Sequence, residues 1–163
     1  MLEKYLKLMG TDNMILTSEK ALEMLEFFRN KVEDTGWITH SICVGNAAGK
    51  IANCLGLDVE KAKTLGYIHD IGKDVGEFKD HVMNGYKYIQ ELGYNDEYAN
   101  ICLVHSYLNN DIMCTAGGIP SDISFRTNFI KNHEYTIYEK IINLYDLMCT
   151  FVVMTVDKRL MIL

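Results

Sequence analysis

One proline, an odd number of cysteines, no surplus of positive charge and no long apolar run mark this 163-residue chain. Scarce proline leaves helices uninterrupted, and plentiful Leu, Met, Ala, Glu and Lys favour them. Runs with a period of two residues are also lacking, so the expected fold is all-α. The five cysteines include no C-x-x-C pair. That argues against a disulfide scaffold or a zinc knuckle and for a reducing cytoplasm. The longest apolar run, near Leu147 to Val156, is interrupted by threonines and too short to span a bilayer. The opening MLEKYLKLMG carries Glu3, Lys4 and Lys7 and has no signal-peptide hydrophobic segment. We therefore expect a cytoplasmic protein with no membrane partner. The net charge of -6 argues against an extended nucleic-acid surface, so no nucleic-acid partner is expected. A compact phosphate ligand fits that charge if metal ions supply the positive counterpart.

Apolar residues make up 48% and charged residues 23%, the balance of an ordinary globular protein. No repeat, linker or low-complexity tract divides the chain, which reads as one domain over 1–163. Helical spacing recurs in TSEKALEMLEFFRNKVED, with Thr17 or Ser18 as cap, and in GWITHSICVGNAAGKIANCLG, stopped at Gly56. Asp58 caps VEKAKTLGYIHD. EFKDHVMNGYKYIQELG stops at Gly93, and NDEYANICLVHSYL follows. YTIYEKIINLYDLMCTFVVM is the strongest late helix, with DKRLMIL as a short last segment. Between them, Leu108 to Glu134 has weak periodicity, which often marks a functional segment, and a short helix is expected around Ile123 to Lys131.

The stretch GYIHDIGKD places His69 and Asp70 side by side at the end of an apolar helix, where both are costly to bury. An HD dipeptide alone is a weak motif. Other ionisable residues share its setting. His40 lies on a face with Val44 and Ala47, and His105 with Ile101 and Tyr98. His81 follows a helix start, with Gly85 one turn on, and Asp146 interrupts an apolar stretch. Any single histidine of this kind is usually a satisfied core residue. Together they come from separate helical segments, the way helix bundles assemble metal sites.

The order H…HD…H…H…D, with HDIGK at His69 to Lys73 and HVMNGY at His81 to Tyr86, resembles the HD superfamily of metal-dependent phosphohydrolases. The resemblance runs from about Trp37 to Cys149. It implies an HD-domain bundle of about six to seven helices with its metal core near 37–149. It implies that His40, His69, Asp70 and Asp146 hold one metal, and that His81 and His105 complete a second site with Asp70 bridging. Asp70 and Lys73 become the catalytic residues, Lys73 meeting a phosphate oxygen as a point charge. Outside the family pattern Lys73 would be a solvated lysine favoured by the helix dipole. Imidazole and carboxylate donors suit one or two divalent ions per chain, Fe, Mn, Co, Ni or Zn, without choosing among them. His133 has no place in the pattern and reads as a loop or cap residue. Cys43, Cys102 and Cys149 each lie three positions from a proposed ligand and read first as small buried hydrophobes.

After His105 the chain reads SYLNN, unlike the HHE…DGxGYP of cyclic-di-GMP phosphodiesterases, and IGKD after Asp70 lacks the acidic pattern of (p)ppGpp hydrolases. IINLYDLMCT and the short spacing from His81 to His105 look closer to small bacterial HD proteins that include symmetrical diadenosine tetraphosphate hydrolases. The expected function is hydrolysis of a phosphoester or phosphoanhydride in a small phosphorylated metabolite, a nucleotide, with dinucleoside polyphosphates among the candidates. The alternatives are a non-catalytic metal- and nucleotide-binding sensor domain and a plain helical interaction domain. Arg126 and Lys131 are the cations of the Leu108 to Glu134 segment and are expected as phosphate contacts. A homodimer is compatible with the chain.

Overall fold

A computed structural model describes residues 14–105, 119 and 121–161. Among the described residues there are eight α-helices and no strand, only isolated bridges pairing Met14 with Tyr94 and Cys149 with Val153. The helices are α1 (Ser18–Arg29), α2 (Gly36–Leu55), α3 (Val59–Ile68), α4 (His81–Glu91), α5 (Asp96–Val104), α6 (Ile123–Asn132), α7 (Ile137–Met148) and α8 (Val156–Leu160). The fold is therefore all-α. Its eight helices agree with the bundle expected, the last of them, α8, being only five residues long. No described helix is long and apolar enough to cross a membrane.

Local chemistry sets the boundaries. Thr17 caps α1 by accepting from the Lys20 N–H, and Asp58 caps α3 by accepting from Lys61. Asn95 caps α5. Thr136 and Glu139 form a reciprocal capping box at the start of α7. Helix α2 ends where Gly56 turns left-handed at φ 68°. The late helical pattern runs on toward Met154, but α7 stops at Met148. Cys149 is extended, the Thr150 N–H donates forward to the Val152 carbonyl, and the Met154 N–H donates back to the Met148 carbonyl. Thr150, Val152 and Val153 are β-branched, and their stiff side chains suit this extended reversal better than another helical turn.

Helix α3 lies at the centre, against α1, α2, α5 and α7. Its inward face, Ala62, Leu65, Tyr67 and Ile68, joins Ile38, Val44 and Ala48 of α2, Ile101 and Leu103 of α5 and Ile142 of α7 in one core. Burying such side chains contributes about 1.5–3 kcal/mol each before entropy is charged against it. Two glycine contacts aim this core at one point. A Cβ on Gly66 would lie 2.5 Å from the Gly45 Cα, so α2 and α3 cross backbone to backbone. A Cβ on Gly72 would lie 1.9 Å from the His81 carbonyl oxygen and 2.3 Å from the Gly85 nitrogen. The 3-10 turn Ile71–Asp74 therefore sits directly on the first turn of α4. The first crossing brings His40 beside His69; the second brings His81 beside Asp70. Of the Leu108 to Glu134 segment, residues 108–118 and 120 lie outside the described residues, and α6 is the short helix expected near Ile123.

Candidate metal centre

Five elements converge on Asp70. His40 comes from α2, His69 from the C-cap of α3, His81 from the first position of α4, His105 from the C-cap of α5 and Asp146 from α7. Two donor groups result. In one, His40 Nε2 and His69 Nε2 lie 2.9 and 3.5 Å from Asp146 Oδ1. In the other, His105 Nε2 and His81 Nε2 lie 3.2 and 3.8 Å from Asp70 Oδ1. The second oxygen, Asp70 Oδ2, faces the first group, 3.6 Å from His69 and 4.0 Å from His40. Donors bonded to one first-row ion at about 2.0–2.2 Å lie roughly 3–3.5 Å apart. Each group is close to that size, and one carboxylate spans both.

The histidines are oriented by backbone carbonyls. Nδ1 of His69 lies 2.7 Å from the Gly66 oxygen and Nδ1 of His81 2.7 Å from the Phe78 oxygen. Nδ1 of His105 and of His40 lie 3.3 Å from the oxygens of Ile101 and Thr150. A carbonyl oxygen only accepts, so each Nδ1 is the donor to its carbonyl and each ring turns its Nε2 to the centre. The extended exit from α7 thus has a purpose: it delivers the Thr150 carbonyl to His40.

The electrostatics call for cations. Burial opposes ionisation of Asp70, but His69, His105 and Lys73 outweigh it and hold its carboxyl well below the usual range. Burial likewise opposes the charge on Asp146, and the bond to His40 with His69 close by holds that carboxyl low. Burial, then repulsion from His105, pushes His81 down to about 4, which keeps it a neutral donor. His69 Nε2 is fully buried with no hydrogen-bond partner among the described residues. Two carboxylates held low and a buried imidazole nitrogen without a hydrogen-bond partner are what a bound divalent ion would satisfy.

Lys73 Nζ sits 2.5 Å from Asp70 Oδ2. It lines a cleft of about 630 Å³ with His40, Asp146, Trp37, Phe151 and Arg159 among the other walls. Arg126 and Lys131 are not part of this wall. Arg126 is buried on α6, its guanidinium pushed down to about 10 by burial against the opposing pull of Asp80, and Lys131 is exposed. His133 caps the end of α6 and pairs with Glu139 at 3.0 Å. Cys102 donates to the Ile68 carbonyl, and burial pushes its thiol up. Cys149 lines the cleft, its thiol pushed up to about 12 by burial and by Cys43. Trp37, Phe151 and Arg159 were not singled out by sequence motifs. Phe151 and Arg159 fall beyond the ligand pattern, and only the turn after α7 brings them to it.

The HD domain family model matches residues 37–148, more than half of the chain. The chain belongs to this family, whose members bind divalent metals at such His and Asp clusters. It is similar to Ribonuclease Y of Fervidobacterium nodosum, 37% identical over 42% of this chain and 14% of that protein. Ribonuclease Y of Mycoplasma capricolum is 40% identical over 43% and 14%. That of Protochlamydia amoebophila is 38% identical over 39% and 12%. The matched stretch thus spans about one-seventh of these curated relatives. No solved structure matches the chain.

Proposed function

We propose that this chain is a metal-dependent phosphohydrolase with a binuclear centre that cleaves a phosphoester or phosphoanhydride of a nucleotide. The observation that carries the reading is the divided carboxylate of Asp70, one oxygen toward each donor group. His40, His69, Asp70 and Asp146 would hold one ion, and Asp70, His81 and His105 the other. The chemistry that divalent ions would supply, when bound, is a hydroxide near neutral pH and polarisation of the phosphoryl oxygens. The chain supplies the rest. Carbonyl-tethered imidazoles keep the donors aimed. Lys73, at the cleft edge beside Asp70, offers its ammonium to a non-bridging phosphate oxygen.

Catalysis is favoured over a sensor with structural metals because the first donor group is open. His40 and Asp146 are 16% and 19% exposed and face the cleft, whereas a structural site is closed by its ligands. The relatives are ribonucleases by name, and a phosphodiester of RNA offers the same reacting group as a dinucleotide. The net charge of -6 and a cleft of about 630 Å³ favour a short substrate over a long polyanion.

The test is metal analysis followed by a hydrolysis screen with bis(p-nitrophenyl) phosphate, p-nitrophenyl phosphate, nucleoside phosphates and diadenosine tetraphosphate, with Mn, Fe or Co added. Hydrolysis that a chelator abolishes and metal restores is expected. Stoichiometric metal with no hydrolysis across the panel would favour the sensor.

A further inference from the structure

Beyond the donor groups and Lys73, the cleft has a second cation. Arg159, from α8, lines the same cavity. Its Nε is shielded from solvent and has no hydrogen-bond partner among the described residues. The carboxylates in the wall are already engaged. Asp34 accepts from the Gly36 N–H at 2.9 Å, Asp74 from the Trp37 indole, and Asp146 lies 2.9 Å from His40. Lys73 differs from Arg159 in being paired with Asp70. Arg159 is half-buried, and a guanidinium with its Nε shielded and no acceptor on it is suited to an anion from outside, its planar fork matching phosphate.

The surroundings of Arg159 narrow the ligand. Phe151 is 65% exposed, and its ring lies against Gly36, where a Cβ would be 3.7 Å from it. Trp37, fixed by its bond to Asp74, forms a neighbouring wall. An exposed aromatic ring in the same cleft as a guanidinium suits the flat face of a nucleobase as well as its phosphate. A cavity of about 630 Å³ holds more than one phosphate group.

We propose that Arg159 and Phe151 form a leaving-group subsite that binds the non-reacting nucleoside phosphate of the substrate, Arg159 on its phosphate and Phe151 on its base. This rests on the hydrolase reading and adds to it. The reacting phosphate lies at the His40 and Asp146 end, and a substrate needs a second phosphate-bearing arm to fill both ends.

Equilibrium dialysis of AMP and of inorganic phosphate against the metal-loaded protein tests this directly. Arg159→Ala should weaken AMP binding about 10- to 100-fold, the range for losing a charged hydrogen bond. Arg159→Lys should recover part of it, and Phe151→Ala should weaken AMP while leaving inorganic phosphate unchanged. Metal content and the circular dichroism spectrum should match wild type in all three. In kinetics, Arg159→Ala should lower kcat/KM for diadenosine tetraphosphate but not for p-nitrophenyl phosphate. Equal AMP affinity in wild type and Arg159→Ala, or no AMP binding by wild type, overturns the subsite. Arg159-dependent AMP binding without hydrolysis of any substrate keeps the subsite and removes the hydrolase reading. Hydrolysis indifferent to Arg159 on both substrates does the reverse.

Discussion

Asp70 Oδ1 lies 3.2 Å from His105 Nε2, while the other oxygen of the same carboxylate faces His69 at 3.6 Å. If that division sets the nuclearity, Asp70 and His105 should fail differently. Asp70→Asn keeps the shape and removes the charge shared by both sites, so metal content should fall from two ions per chain to below one. His105→Ala should lose the second ion alone. Elemental analysis of the purified variants reads both.

Gly72 makes a prediction about packing. An added methyl would overlap the His81 carbonyl and the Gly85 nitrogen, which are backbone atoms and cannot swing aside. Gly72→Ala should therefore push α4 from the Asp70 turn. We expect a loss of about 1–3 kcal/mol in urea unfolding together with weakened binding of the second ion. A fully stable variant with both ions would mean the turn and helix can separate without moving His81.

Lys73 is adjacent to the centre without being a ligand. Lys73→Ala should lower kcat/KM about 10²–10³-fold, the usual effect of removing one charged contact to the transition state. Metal content should hold, because the ammonium sits on Asp70 Oδ2 where it competes with a cation rather than assisting one. A variant that lost its metals would make Lys73 a structural partner of Asp70.

The capping box of α7 offers a control remote from the chemistry. Thr136 accepts from the Glu139 N–H at 3.2 Å, and Glu139 returns a bond to the Thr136 N–H at 2.7 Å. Thr136→Ala should cost about 1 kcal/mol in unfolding free energy and leave metal content and kcat unchanged. A large kinetic effect would show that the position of Asp146 depends on the first turn of its helix.

The helices and the six His and Asp positions could be read from the sequence because both are local or ordered signals. Helical spacing and the caps at Thr17, Asp58 and Gly56 set most boundaries, and the H…HD…H…H…D order singled out six residues that the structure brings together. The carbonyls that hold the imidazoles were less visible. Gly66, Phe78 and Ile101 lie three or four residues before their histidines and follow from helix and turn geometry. Thr150 lies far from His40 in the chain and depends on α7 ending at Met148, where helical periodicity alone predicts continuation. The cleft was hidden for the same reason. Phe151 and Arg159 join its wall only through that reversal, and no short motif encodes a tertiary juxtaposition.

The most direct measurement is a crystal structure of the metal-loaded protein with anomalous data collected at the Mn, Fe, Co, Ni and Zn edges. The account predicts two ions about 3.5–4 Å apart with one Asp70 oxygen on each, His40, His69 and Asp146 on the first and His81 and His105 on the second. A single ion in metal-replete crystals, with His81 and His105 bonded only to protein, would contradict it.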